Sequence, residues 1–361
     1  MTSASDLAAA EVPAEVEAAI DFVAHSGPAD RLATAPRARA TKPREPSVRV
    51  GAAADPQGCL FERVTPQCLR TAYGLNDTAA TYGGFNAQTV VVNQGFKRSD
   101  VAAFERQGKL PSQKVVKEVG KNDNQAGDEA TLDVEFIIAM GQKVPTWWVY
   151  IDGHTANPFA SWLTWASNTS QIPYVHSLSV GEPEGTLASD NGGQKALVRM
   201  NDEFAALGAR GVTLVFASGD SGFVAEQKFP ASSPYVTSVG GTTLGAIFKL
   251  DHVAVDGETT GGFSSLDANA VLANNYQKEA VAHFLTKTTG TRPKSNLNAS
   301  RRCVPDLAAY STEYYIIQDG SSTVIGGTSA ATPVVAGMLS LINDALLSAG
   351  HSPLGFANPF L

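Results

Sequence analysis

Residues 325–337 read Ile325-Gly326-Gly327-Thr328-Ser329-Ala330-Ala331-Thr332-Pro333-Val334-Val335-Ala336-Gly337. The two glycines allow a tight turn and a close approach to a ligand. Pro333 predicts the first turn of a helix, because proline is tolerated there and not deeper. Ser329 is then expected at a helix N-terminus, near unpaired N–H groups that can hold an oxyanion. A glycine turn that only opens a buried helix explains Gly-Thr-Ser equally well.

The composition of the whole chain limits the classes of partner. Its 361 residues are 43% hydrophobic and carry a net charge of −8, which is enough for one large α/β core plus a smaller segment. There is no basic cluster of the kind that nucleic-acid binders carry. No apolar run approaches a membrane span, since Ser340 and Asn343 interrupt the run after Ser329. We therefore expect neither a nucleic-acid nor a membrane partner, and the oligomeric state stays open.

The first part of the chain differs in composition from the rest. Residues 26–54 are rich in Ala, Arg and Pro and are typical of an exposed linker. The start of the chain lacks the basic and apolar regions of a signal peptide. The sequence becomes globular near residue 61, where Thr65 and Pro66 predict the N-cap and first position of a helix. We expect two parts, 1–60 and 61–361.

In the globular part, apolar strands alternate with helical patterns. This alternation predicts an α/β fold with a mostly parallel, doubly wound sheet. In such sheets the active site lies beyond the carboxyl ends of the strands. The predicted strands are Thr89–Val92, Thr146–Ile151, Val175–Val180, Val212–Ala217 and Tyr235–Val239, and the predicted helices include Asp128–Met140 and Ala196–Leu207.

Cysteines and glycosylation signals give weaker indications. Cys59, Cys68 and Cys303 match no metal-ligand spacing. A Cys59–Cys68 bridge is conceivable, but buried or free thiols are the favoured interpretation. Three sequons for N-glycosylation lean towards the secretory pathway, although the pattern is short and common. They begin at Asn76, Asn168 and Asn298.

A serine nucleophile needs a base, and no histidine fits. None of the six histidines is followed by glycine, as the His-Gly-Thr motif of subtilisin-like enzymes requires. The loop after the strand that ends at Ala217 reads Ser-Gly-Asp-Ser-Gly and places Asp220 where subtilisins use an asparagine in the oxyanion hole. Glu129 and Asp133 are four residues apart, so they share one helix face. A solvated acidic face is the commoner fate of such a pair.

Taken together, the three motifs resemble the sedolisin family of serine-carboxyl peptidases, closest to its tripeptidyl-peptidase I-like members. The motifs are Glu-x-x-x-Asp from Glu129 to Asp133, Ser-Gly-Asp-Ser-Gly around Asp220, and Gly-Thr-Ser-Ala around Ser329. The resemblance covers roughly residues 60–361. Further segments resemble the same family, namely 229–242, 261–264, 304–309 and 353–359.

The resemblance implies a fold and four site residues. It implies a subtilisin-like α/β fold in which Ser329 is the nucleophile, Glu129 the general base, Asp133 the residue that orients Glu129, and Asp220 part of the oxyanion hole. Asp220 can donate a hydrogen bond only while it is protonated, and a carboxylate base works best when its pKa lies near the working pH. An acid optimum is therefore expected, with peptides or unfolded proteins as substrates.

The resemblance also implies departures from the family. Residues 1–60 are expected to be the remnant of a propeptide. Family members bind one calcium ion through a C-terminal tail, and the chain ends at Leu361 without those ligands, so we expect weak calcium binding and low activity. The expected function is release of tripeptides from unblocked N-termini in a lysosomal or extracellular setting. The alternative is a catalytically inactive fragment or pseudoenzyme of the same fold.

Overall fold

The structure is a computed structural model. It describes residues 63–361, apart from 155–156, 191–192, 225, 245–252, 267–275, 288–297 and 299. The predicted propeptide remnant, 1–60, lies outside the described residues. The helices are α1 Pro66–Ala72, α2 Arg98–Gln107, α3 Asp128–Met140, α4 Ala160–Asn168, α5 Glu184–Asp190, α6 Gln194–Ala209, α7 Lys278–Lys287 and α8 Thr328–Ser348, followed by a 3-10 turn at Asn358–Phe360.

A parallel sheet forms the centre of the molecule. Its strands lie in the order β12-β8-β6-β4-β1-β3-β2, every neighbouring pair on this path is parallel, and β9 pairs with β8 in the antiparallel sense. This topology confirms the predicted subtilisin-like α/β fold. The strands are β1 Gln88–Val92, β2 Val115–Val119, β3 Thr146–Tyr150, β4 Val175–Leu178, β5 Glu182–Pro183, β6 Thr213–Ala217, β7 Lys228–Phe229, β8 Thr237–Leu244, β9 Val253–Val255, β10 Gly262–Phe263, β11 Cys303–Val304, β12 Leu307–Tyr310, β13 Tyr314–Gln318 and β14 Ser321–Ile325.

Helices cover both faces of the sheet. Along β1, Val90 and Val92 belong to the hydrophobic cluster formed with α3 and α8, whereas Val91 belongs to the cluster formed with α4 and α6. Successive side chains of a strand point to opposite faces, so a strand that is buried along its whole length, such as β1, requires cover on both sides. This burial places β1 in the middle of a two-sided core.

Helices α3 and α8 cross at very close range. A Cβ placed on Gly337 of α8 would lie 2.6 Å from Cβ of Met140 and 2.8 Å from the backbone nitrogen of Gly141. Only a residue without a side chain fits this crossing. The two helices that carry Glu129 and Ser329 therefore pack directly against each other.

Pro333 lies deeper in its helix than the sequence predicts. Helix α8 begins at Thr328, so Pro333 is its sixth residue and not part of its first turn. A proline has no N–H for the carbonyl four residues earlier, which here is the carbonyl of Ser329. The helix tolerates this loss because another donor, the hydroxyl of Ser179, reaches that carbonyl at 3.3 Å.

The expectation that no apolar run approaches a membrane span is wrong for α8. By length and composition, residues 328–348 are apolar enough to cross a membrane, and Ser340 and Asn343 do not prevent this. Within the fold, 83% of the apolar stretch is buried. Ser340 satisfies its hydroxyl inside the helix by donating to the carbonyl of Ala336 at 2.9 Å. The surroundings of α8 are those of a core helix.

The start of helix α1 agrees with the sequence-based prediction, but the state of the cysteines does not. Thr65 caps α1 by accepting the N–H of Cys68 at 3.2 Å, and Pro66 is the first residue of the helix, both as predicted. Cys68 takes part in a disulfide, whereas Cys303 remains a thiol. The expectation that the cysteines are buried or free thiols is therefore wrong for Cys68.

Helix α3 also buries a carboxyl group outside the predicted site. Glu135 has no exposed surface, and its Oε2 accepts the N–H of Ile317 at 3.1 Å. Its Oε1 has no hydrogen-bond partner among the described residues. Burial raises the pKa of Glu135 well above its ordinary value, and the nearby carboxylate of Asp100 raises this pKa further. The fold therefore favours the protonated form of Glu135.

This burial predicts a stability that falls as the pH rises. The folded chain holds the Glu135 proton more tightly than the unfolded chain, so stability is lost between the ordinary glutamate pKa and the raised one. We expect Glu135→Gln to raise the melting temperature at neutral pH by a few degrees and to change it little in acid. Thermal melting across the pH range checks this, with Glu279→Gln on the exposed surface of α7 as control. Identical pH dependence in both variants would contradict the prediction.

Candidate active site

Helix α3 carries two of the four predicted site residues at its N-terminal end. Its N-cap is Gly127, which offers no side chain for capping. Gln94, in the loop after β1, takes that role: its Oε1 accepts the N–H of Glu129 at 2.9 Å and that of Ala130 at 3.3 Å. Because the first N–H groups of a helix need external partners, Gln94 fixes the helix turn from which Glu129 projects.

Ser329 is the second residue of α8, as the sequence predicts, and only 8% of it is exposed. Gly327, just before the helix, has φ +120°, a conformation that residues with side chains rarely adopt. A Cβ at Gly327 would lie 3.0 Å from Oδ2 of Asp220. The glycine therefore permits both the turn before Ser329 and the close approach of Asp220.

Three of the predicted residues meet between α3 and α8. The hydroxyl of Ser329 lies near enough to the carboxyl of Glu129 to lower the pKa of that carboxyl. Asp133, one turn further along α3, has no exposed surface, and its Oδ1 accepts a hydrogen bond from Oγ of Ser179 at 2.8 Å. The acidic pair is therefore buried beside the serine and does not form the solvated face that is common for such a spacing.

Asp220 joins the group from the loop after β6. Its Oδ1 accepts the N–H of Thr328 at 2.7 Å. In return, the N–H of Gly219 donates to Oγ1 of Thr328 at 3.1 Å. The loop and the start of α8 are thus joined in both directions. The second oxygen of Asp220, Oδ2, is the one that lies towards Gly327.

Burial favours the protonated forms of Glu129 and Asp133. Desolvation raises the pKa of Glu129 to about 7, against the opposing effect of the nearby Ser329 hydroxyl, and the carboxylates of Asp128 and Asp220 raise it further. Desolvation also raises the pKa of Asp133, and the charge of Glu129 adds to the shift. Glu129 Oε1 and Asp133 Oδ2 are buried without a donor among the described residues. The two groups titrate as a pair that favours a retained proton.

A cavity of about 260 Å³ opens beside this group. Ser179, Val180 and Gly181 line it, as do Glu182 and Lys228. These residues follow β4 or lie in the short ladder of β5 and β7. The cavity therefore lies beyond the carboxyl ends of the parallel strands, where ligands bind in open α/β sheets.

His176 does not serve as a base for Ser329. It is fully buried in β4, where Nε1 of Trp162 donates to its Nδ1 at 3.1 Å. Burial lowers the pKa of His176 to about 3, so the ring stays neutral in all but strong acid. His176 is therefore a core residue of β4.

The described residues do not fit a calcium site. Within that part of the chain, no group of three or more His, Cys, Asp or Glu side chains is arranged to hold a metal ion. Calcium in proteins usually takes six to eight oxygen ligands that include several carboxylates.

Comparison with known proteins identifies the family. The model of the subtilase family matches residues 155–352, which include the loop of Asp220 and the helix of Ser329. The chain belongs to the subtilase family. The matched region of this subtilase begins after Glu129 and Asp133, so the acidic pair lies outside it.

Two curated relatives match most of the chain in sequence. The chain is 40% identical over 330 residues to tripeptidyl-peptidase 1 of Rattus norvegicus, covering 85% of this chain and 57% of the rat protein. It is 39% identical over 317 residues to the Homo sapiens protein, covering 82% of this chain and 55% of that protein. The chain thus spans little more than half the length of these curated relatives.

A solved subtilase-like structure shows the same fold. Pseudomonas sedolisin, described as a serine-carboxyl proteinase complexed with two molecules of pseudo-iodotyrostatin, superimposes with a TM-score of 0.61 at 21% identity. The match covers 84% of this chain and 86% of sedolisin. Together with the relatives above, it confirms the resemblance to the sedolisin family that the motifs indicate.

Sequence reasoning missed two polar residues of this subtilase site, Ser179 and Gln94. Ser179 is the first residue after β4, and Gln94 is the second residue after β1. Both lie at the carboxyl ends of parallel strands, which is the signal that could have identified them.

Proposed function

We propose that this chain is a serine-carboxyl peptidase in which Ser329 is the nucleophile and Glu129 the general base. The nearness of the Ser329 hydroxyl to the Glu129 carboxyl, whose pKa it lowers, carries this proposal. Asp133 orients Glu129 from one turn further along the helix, and Asp220 contributes to the oxyanion hole. A nucleophile, a base near it and a third group beside the base form the arrangement that acyl transfer requires.

The reaction proceeds in two stages at Ser329. Its Oγ attacks the carbonyl carbon of the scissile bond while Glu129 takes the hydroxyl proton. Protonated Asp220 donates a hydrogen bond from Oδ2 to the oxyanion, while its Oδ1 stays bonded to the N–H of Thr328. Glu129 then passes its proton to the leaving amine, which departs and leaves an acyl group on Ser329. Water, deprotonated by Glu129, attacks this ester and releases Ser329.

The protonation states of the site carboxyls support activity in acid. The Glu129–Asp133 pair retains a proton because of its burial. It loses this proton as the pH rises. We therefore assign the protein to an acidic compartment, lysosomal or extracellular. The sequon asparagines support passage through the secretory pathway because all three lie on the exposed surface: Asn76, Asn168 and Asn298.

The substrate class is proposed from the relatives. Proteins named tripeptidyl-peptidase 1 match most of this chain, so we propose that it releases tripeptides from unblocked N-termini. The cavity beyond β4 is a suitable place for the residues that precede the scissile bond, since it begins at Ser179 beside the carboxyl pair. A volume of about 260 Å³ suits a short peptide segment and not a long one.

A matched pair of peptides tests this specificity. We expect the chain to release the first three residues from a peptide with a free α-amino group in acid. The same peptide with an acetylated N-terminus should react at least tenfold more slowly, because an exopeptidase recognises the chain end. Mass spectrometry of the products checks both the rate and the cleavage position. Equal cleavage of the two peptides at internal bonds would favour an endopeptidase, and no cleavage of either would favour the inactive alternative.

A further inference from the structure

Ser179 contacts both of the helices that form the site. Its Oγ lies 2.8 Å from Oδ1 of Asp133 on α3 and 3.3 Å from the backbone carbonyl oxygen of Ser329 on α8. It also lowers the pKa of the nearby Glu129 carboxyl. One neutral side chain, placed directly after β4, is therefore bonded to the orienting acid and to the backbone of the nucleophile.

The carbonyl of Ser329 is available because of Pro333. In an α-helix this carbonyl would accept the N–H of residue 333, but proline has none. The neighbouring carbonyl, that of Thr328, receives an added donor from Oγ1 of Thr332 at 2.8 Å. The first turn of α8 therefore relies on hydroxyl donors, and at Ser329 the donor comes from outside the helix.

A serine hydroxyl has one hydrogen to share between these acceptors. If Oδ1 of Asp133 carries a proton, it donates to Ser179, which in turn donates to the Ser329 carbonyl. If Oδ1 is ionised, it attracts the Ser179 hydrogen, and the carbonyl loses its donor. Charge-assisted hydrogen bonds are the stronger ones, so the ionised carboxylate wins this competition.

We propose that Ser179 is a positioning residue that couples the protonation of Asp133 to the helix turn carrying Ser329. The proposal rests on the proposed function of that site. In acid the hydrogen bonds run from Asp133 through Ser179 to the nucleophile's backbone and hold it in place. As Asp133 ionises, the turn loosens. The charged groups that act on the carboxyl pair are all acidic, so none of them compensates the ionised form: Asp128, Glu129 and Asp220.

Hydrogen exchange tests this coupling without turnover. We expect the protection of backbone amides in segment 326–335, measured against the unstructured chain at the same pH, to be roughly tenfold lower near neutral pH than in acid, which corresponds to the loss of one hydrogen bond. Ser179→Ala should remove this pH dependence and leave protection low throughout. Pro333→Ala, which supplies the missing helical N–H, should leave protection high throughout. Unchanged exchange in Ser179→Ala would overturn the proposal.

The pH profile of kcat tests the same coupling in a second way. Ser179→Ala should lower kcat about tenfold and shift the pH profile upwards, since Asp133 loses a donor that favours its ionised form. In the Pro333→Ala background the same change should lower kcat much less while the pH shift persists. Ser179→Thr keeps the hydroxyl and should restore most of the rate. Equal losses of kcat in both backgrounds would refute the link through the Ser329 carbonyl.

A matched control comes from the same strand. Ser177 is buried in β4, and its hydroxyl has no hydrogen-bond partner among the described residues. Ser177→Ala should change neither the pH profile nor exchange in 326–335. If the unaltered chain shows no peptidase activity but exchange responds as expected, the proposed function fails and this coupling stands. If the chain is active but exchange is insensitive to Ser179, the coupling alone fails.

Discussion

Ser329→Ala is expected to lower kcat by about a million-fold, the order observed when a serine peptidase loses its nucleophile. Glu129→Gln should have an effect of similar size, because an amide cannot take the proton of the Ser329 hydroxyl. Residues that act as one unit are strongly non-additive, so the double variant should be no slower than either single one. Steady-state kinetics in acid with a free N-terminal peptide measure all three variants.

Two controls separate chemistry from folding. Thermal melting should show that Ser329→Ala remains folded, since the change only removes a hydroxyl from a side chain at the cleft. Ser340→Ala lies on the same helix and removes a buried hydroxyl whose bond stays inside the helix, so it should keep nearly full kcat. If Glu129→Gln retained more than about one hundredth of the rate, a different base would have to be sought.

The second large effect concerns Asp220. Asp220→Ala removes the oxyanion donor and should lower kcat about 100- to 1,000-fold. Asp220→Asn keeps an acceptor for the N–H of Thr328 and gains an amide donor that does not titrate. We expect it to lose about tenfold at the acid optimum, because an amide donates more weakly than a carboxylic acid, and to lose less activity towards neutral pH.

Full pH profiles of kcat distinguish these outcomes. In the unaltered chain the rate falls as the pH rises, since the Glu129–Asp133 pair loses its proton and a carboxyl group in an oxyanion hole donates only while it is protonated. An amide donates at every pH, so the falling limb of Asp220→Asn should move to higher pH. Asp202→Asn, at an exposed position on α6, serves as the charge-matched control. A falling limb that stayed in place would show that Asp220 does not supply the donor.

Much of this arrangement follows from local sequence. The Gly-Thr-Ser turn, the Glu129–Asp133 spacing and the loop of Asp220 each have a local pattern. The doubly wound topology then brings strand ends together, as at β4 and β6. Strands such as β1 are predictable because a β-branched run like Thr89–Val92 packs well in the middle of a sheet that is covered on both faces.

What the sequence did not predict depends on contacts across the fold. The depth of Pro333 in α8 was mispredicted because the local cost of an internal proline is offset by Ser179, 154 positions earlier in the chain. The capping of α3 by Gln94 is a similar case. No pattern around Gly127 indicates that a side chain from another loop accepts the first N–H groups of the helix. Burial of Glu129 and Asp133 also needed the packing of α8, without which an exposed acidic face is the better expectation.

The close contact at Gly337, where α3 and α8 cross, acts as a pivot that controls the distance between Glu129 and Ser329, although it lies far from both residues. Along the helices, Glu129 lies about 16 Å from Met140, and Ser329 about 12 Å from Gly337, at 1.5 Å per residue. Each helix therefore acts as a lever arm, and a tilt of about 5° at the pivot displaces a reactive group by about 1 Å. A displacement of that size can cost about a hundredfold in rate. The alignment of the proposed nucleophile and base thus depends on the absence of a side chain at Gly337, two to three helical turns from the reacting atoms.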